Sequence, residues 1–113
     1  MTIVSRHGLA YPRIKGVVVG DESEKSFQAR VVQLAKLRGW RVRWTKDSRG
    51  SLGGEPDLRM VRPPRYVLAE LKSQHGRLSL EQAAEIALLE RCPGVEMYVW
   101  RPSDWSSIQE VLR

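Results

Sequence analysis

With 113 residues the chain has room for one hydrophobic core and no second domain. Nineteen lysines and arginines against thirteen acids give a net charge of +6 and a pI near 10.0, which favours a polyanion such as nucleic acid over an acidic or neutral partner. A single cysteine, Cys92, excludes an internal disulfide and a cysteine-rich zinc site, and no apolar run reaches the length of a membrane span.

Residues 1–20 lack the basic-then-apolar order of a signal peptide, so the expectation is a soluble cytoplasmic protein. They hold one strand-like run, Ile14 to Val19, among Gly8, Pro12 and Gly16, and read as an arm or an extra strand. Asp21 followed by Glu24 has capping-box spacing, and Phe27, Val31, Leu34, Ala35 and Arg38 form one helical stripe that Gly39 ends. Arg41 to Lys46 alternates as a strand, with Val42 and Trp44 as the inward candidates and a basic opposite face. Asp47 to Gly54, with three glycines and two serines, reads as a flexible loop.

Leu58 to Val61 and Tyr66 to Leu71 are two short strands broken by Pro63-Pro64, hence a hairpin. Ser73 to Leu78 is a loop, and Ser79-x-x-Gln82 opens a second helix with Leu80, Ala83, Ala84, Ala87 and Leu88 as its apolar stripe. After Pro93-Gly94 come a strand, Val95 to Trp100, and a last helix capped by Ser103 or Asp104, with Trp105, Ile108 and Leu112 inward. A helical crossover makes the Tyr66 and Val95 strands parallel neighbours, so the sheet is mixed, α/β, with helices packed on it and polar loops at one edge.

The chemistry concentrates in Gly53-Gly54-Glu55-Pro56-Asp57 and Glu70-Leu71-Lys72. A turn centred on Pro63-Pro64 pairs Arg62 with Arg65 and, counting outward, Asp57 with Glu70. Glu70 and Lys72, two apart on one strand, share a face that Leu71 does not. Carboxylates directly across a ladder repel, and a hard divalent cation with oxygen ligands would compensate them. Lysine adds a point charge for a phosphate or an attacking water. An isolated E-x-K is common in a chain with 28% charged residues, and the hairpin-matched Pro-Asp is what gives it weight.

Glu24 reads equally as a capping residue and as a third carboxylate near the metal. Gln82 reads as the third residue of a capping box or as an amide touching water or phosphate. His7 and His75 have no partner at zinc-ligand spacing, which disfavours a zinc hydrolase and leaves His75 as a solvated loop histidine. Arginines 41, 43, 49, 59, 62, 65 and 77 surround the proposed site, with Trp40 and Trp44 interleaved and at least one of the two packed in the core. Arg41, Arg43, Lys46, Arg49 and Arg77 are the expected nucleic-acid contacts.

From Asp21 to about Arg101 the chain resembles the PD-(D/E)xK nuclease superfamily, and within it the small stand-alone VRR-NUC domains of phages and bacteria. The resemblance rests on Glu24-x-x-x-Gln28, Gly54-x-Pro-Asp57-Leu58, Glu70-Leu71-Lys72 and Gly76-x-Leu78-Ser79-x-x-Gln82. It implies a restriction-endonuclease-like mixed β-sheet flanked by helices, with residues 21–113 as the nuclease domain and 1–20 outside it. It further implies that Asp57, Glu70 and the Leu71 carbonyl hold Mg²⁺ or Mn²⁺ with Glu24 assisting, while Lys72 orients or activates water and Gln82 sits beside it. A homodimer acting on branched or flapped DNA, such as four-way junctions, in a bacterial or phage-infected cytoplasm completes the implied picture. The expected function is metal-dependent endonucleolytic cleavage of DNA selected by structure; the alternatives are a non-catalytic nucleic-acid-binding module of the same fold and an RNA-directed nuclease.

Overall fold

Helix α1 (Glu24–Leu37) starts at Ser23, whose hydroxyl accepts a hydrogen bond from the Ser26 amide at 3.1 Å and satisfies one free N–H of the first turn. The structure, a computed structural model, describes residues 22–44 and 53–113; Ile14 to Val19, His7, Asp21, Lys46 and Arg49 lie outside them. The observed cap is Ser23, with Glu24 as the first helical residue rather than the third of a capping box. Glu22 reinforces that start by accepting from Ser26 Oγ at 2.9 Å and from the Arg30 guanidinium at 2.6 Å, one and two turns on.

Phe27, Val31 and Ala35 recur at helical spacing and are fully buried. Gly39, at φ +84°, turns the chain into strand β1 (Arg41–Trp44). Strands β2 (Leu58–Arg62) and β3 (Arg65–Leu71) form the hairpin, with Arg62 opposite Arg65 and Leu58 opposite Ala69, the register that the Pro63-Pro64 turn predicts. Helix α2 (Leu80–Leu89) crosses over to β4 (Glu96–Trp100), which pairs parallel with β3. The sheet order is β1-β2-β3-β4, the first two pairs antiparallel. A 3₁₀ turn, Pro102–Asp104, leads into helix α3 (Trp105–Val111).

Period-2 alternation gives the sheet two unlike faces. Leu58, Met60, Val67, Ala69 and Leu71 point to one side and pack with α1 and with Ile108 and Leu112 of the C-terminal helix region into the main core. Trp40 joins that core: its indole N–H donates to the Leu112 carbonyl at 3.0 Å, with the Arg62 and Arg65 guanidinium groups 4.5 and 5.0 Å from its ring centroid. Val42 is buried, whereas Trp44 is 38% exposed, with the Lys36 ammonium 5.4 Å from its ring. Trp44 ends β1, which among the described residues is an edge strand of the sheet.

Helix α2 departs from its expected rotation. Leu80, Ala83, Ala84, Ala87 and Leu88 face away from the sheet, Leu80 being 90% and Leu88 59% exposed, while Gln82, Glu85, Ile86 and Leu89 turn inward. An alanine-rich helix offers two weakly apolar faces, and a hydrogen bond from Gln82 to β3 selects between them.

Candidate active site

Asp57 immediately precedes β2, so the backbone of a central strand aims it rather than a loop at the sheet edge. The turn before it is built to fit α2. Gly54 sits at φ +92°, and a Cβ there would meet the Glu81 carbonyl oxygen at 2.6 Å. Only glycine satisfies both the left-handed backbone and the close approach. The turn that delivers Asp57 thereby also seats the first turn of α2.

One oxygen of Asp57 accepts a hydrogen bond from the Leu71 amide at 2.8 Å, which fixes the carboxylate at the end of β3. Glu70 and Lys72 share a face, with the ammonium 3.6 Å from Glu70 Oε2. Gln82 donates to the same Glu70 oxygen at 2.8 Å, while its own carbonyl accepts from the Ser79 amide at 2.9 Å and its backbone N–H donates to Ser79 Oγ at 3.0 Å. The capping-box reading of Gln82 is the one observed, and the box orients the amide that holds Glu70.

Glu70 is 1% exposed, and its second oxygen, Oε1, is buried without a hydrogen-bond partner. Burial first, and the Asp57 charge second, push its carboxyl up to about 7; Lys72 opposes them, and the contact with Asp57 and the charge of Glu24 add to the rise. Glu24, exposed in the first turn of α1, is thus electrostatically coupled to Glu70. Among the described residues, no three His, Cys, Asp or Glu side chains form a cluster that could hold a metal by themselves. The donors present, two neighbouring carboxylates with one orphaned oxygen, suit a hard cation that completes its shell with water and phosphate. For Leu71, it is the amide that the structure ties to Asp57.

The loop between Lys72 and α2 is tightly anchored. Lys72 N–H donates to the Trp100 carbonyl at 3.0 Å, and Arg101 Nη1 donates to the carbonyls of Ser73 at 2.7 Å and Gly76 at 2.6 Å. Gln74 and Ser103 exchange two hydrogen bonds of 3.0 Å. These anchors had no sequence signal, since one arginine after a strand carries no pattern. His75 and Arg77 are exposed on this loop.

The arginines divide by strand parity, which corrects the expectation that all surround the site. Arg62 donates to the Arg38 and Arg113 carbonyls and Arg65 to Glu96 and the Val111 carbonyl, all on the core side of the sheet. Arg41, Arg43 and Arg59 occupy the face that carries Asp57 and Glu70, and all three are exposed. A cleft of about 320 Å³ opens there, beside Asp57, between the strands and the Glu85–Leu89 end of α2.

Among the described residues, no helix is long and apolar enough to cross a membrane. Nothing among curated proteins matches the chain. A solved structure described as a VRR_NUC domain is 21% identical, with the alignment covering 80% of this chain and 96% of that one at a TM-score of 0.57, a likeness of fold: the same mixed sheet flanked by helices. The VRR-NUC domain family matches residues 2–104, taking in residues 2–20 that the motifs alone leave out. With its fold and nearly its whole length accounted for in this way, the chain belongs to the VRR-NUC domain family, a nuclease-type family.

Proposed function

We propose that this domain is a divalent-metal-dependent endonuclease that hydrolyses phosphodiester bonds in DNA, selecting its substrate by structure. The observation that carries this reading is Glu70, a carboxylate buried beside Asp57 and Lys72 with one oxygen left without a partner. Such a group destabilises a fold and calls for a compensating cation. Asp57 and Glu70 would hold Mg²⁺ or Mn²⁺, with the Leu71 carbonyl and Glu24 as further oxygen donors. When bound, such an ion polarises the phosphoryl group and acidifies a water.

The protein groups have separate tasks. Lys72, fixed through Glu70 and through its amide on β4, places positive charge where the attacked phosphate gains negative charge. Gln82 holds Glu70 in one rotamer, and the Leu71 amide does the same for Asp57. Arg41, Arg43 and Arg77, with Lys46 and Arg49, contact the DNA backbone. Phosphate contacts carry no sequence information, which supports choice by shape: forks, flaps and four-way junctions. Residues 21–113 form the nuclease domain and 1–20 an arm or extra strand, working in the cytoplasm of a bacterial or phage-infected cell. The chain acts as a homodimer, a second copy covering the outward apolar face of α2 around Ala84 between Leu80 and Leu88.

Plasmid-nicking and junction-cleavage assays with Mg²⁺, Mn²⁺ or EDTA test the activity. Cleavage is expected to require metal and to vanish in Asp57→Asn and Lys72→Ala. Cleavage that survives both substitutions rejects the assignment, and matched DNA and RNA substrates separate the deoxyribonuclease from an RNA-directed enzyme.

A further inference from the structure

We propose that the cleft beside Asp57 is a subsite for one unpaired nucleotide of the DNA strand, with Arg43 and Arg59 on its phosphate and Tyr66 against its base. The inference rests on the nuclease reading and names the form of DNA that the site accepts. Arg43 and Arg59 are register partners on β1 and β2. Two like charges directly opposite each other destabilise a ladder. Among the described residues neither forms an ion pair, although Glu55 and Glu85 line the same cleft, and the hydrogen bond Arg43 makes is to its neighbour's carbonyl, Val42, at 3.2 Å. Arg65, by contrast, is neutralised by Glu96 at 2.7 Å on the far side of the sheet. The pair, without an ion-pair partner among the described residues, is what a bridging phosphate would relieve, since guanidinium groups take phosphate oxygens two at a time.

The surroundings set the rest of the ligand. Tyr66 lies on the same face, diagonal to Arg59, and offers an aromatic ring to a base, with Leu68 and Leu89 as apolar walls. Glu55 and Glu85 repel a second phosphate, so the cleft suits one phosphate with its base rather than a backbone running through. Asp57 and Arg59 are two residues apart on one face, about 7 Å along the strand, a step that one nucleotide spans. A phosphate held by the arginines therefore lies next to the one presented to Asp57. At about 320 Å³ the cleft is at the small end of ligand pockets, enough for a single nucleotide and too small for a stacked base pair.

Binding of a fluorescent single-stranded oligonucleotide and of the matching duplex to the full chain, measured by anisotropy in EDTA, tests this without catalysis. Arg59→Ala and Tyr66→Leu should each weaken single-strand binding by about tenfold and leave duplex affinity within about twofold. Thermal unfolding of the variants confirms that they are folded. Unchanged single-strand affinity in both folded variants, alongside Asp57-dependent DNA cleavage by the parent, overturns the subsite and leaves the nuclease reading intact. The expected binding losses in a protein that cuts no DNA uphold the subsite and remove the nuclease.

Discussion

The two faces of the sheet are made by alternate residues of the same strands and obey different rules. Toward α1 and α3, Leu58, Met60, Val67 and Leu71 are fully buried, and the arginines at the rim, 62 and 65, are engaged by carbonyls, Glu96 and Trp40. Toward α2, Glu70 is buried with an orphaned oxygen beside Asp57, and Arg43 faces Arg59. The first face is what stability alone would build. The second is incompletely neutralised among the described residues, which is costly as it stands, and that asymmetry is the physical ground for a functional reading.

Substitutions on adjacent residues should separate the faces. Asp57→Asn should lower metal-dependent cleavage by about a thousandfold while leaving the melting temperature unchanged or higher, as read by nicking assays and calorimetry. Its neighbour Leu58→Ala does the reverse: it should destabilise the fold by about 3–4 kcal/mol in denaturant titrations, with the per-molecule activity of the folded fraction retained. A similar loss of stability in both variants would erase the distinction.

Glu70 sharpens it through pH. Its carboxyl is raised from 4.5 to about 7, so the folded protein holds this proton more tightly than the unfolded chain does. The resulting stabilisation is complete below about pH 4.5, declines as pH rises, and is gone above about pH 7, where the charged form is buried at a cost. Glu70→Gln should therefore stabilise the metal-free protein at pH 8 by up to about 3 kcal/mol, while abolishing cleavage. Smaller again is Gly54→Ala, which should cost about 1–3 kcal/mol and reduce cleavage by about tenfold, because the added methyl pushes α2, and Gln82 with it, away from Glu70. Full cleavage by that variant would show that Gln82 is dispensable.

The hairpin register was legible because a Pro-Pro turn and a period of two leave one pairing open, and that pairing alone brings Asp57 to the end of β3 beside Glu70. Strand parity also held the information that separates Arg62 from Arg59: Arg62 shares its face with Leu58 and Met60, and Arg59 does not. The rotation of α2 was not legible, since its alanines supply two similar faces and a contact twelve residues away decides. The cap at Ser23 was not legible, because the sequence runs through three adjacent polar residues, 21 to 23, with no pattern to choose among them. Arg101 gave no sign, because the carbonyls it gathers come together only after the crossover has folded.

All of this turns on Glu70 and Asp57 forming the proposed cation site. Melting temperature at pH 8 with and without Mn²⁺, for the parent chain and Glu70→Gln, tests it most directly. Mn²⁺ should raise the parent's melting point by several degrees, about the range for 1 kcal/mol or more of binding linkage, and leave Glu70→Gln unmoved. A parent chain indifferent to Mn²⁺, or a variant stabilised to the same extent, would contradict it.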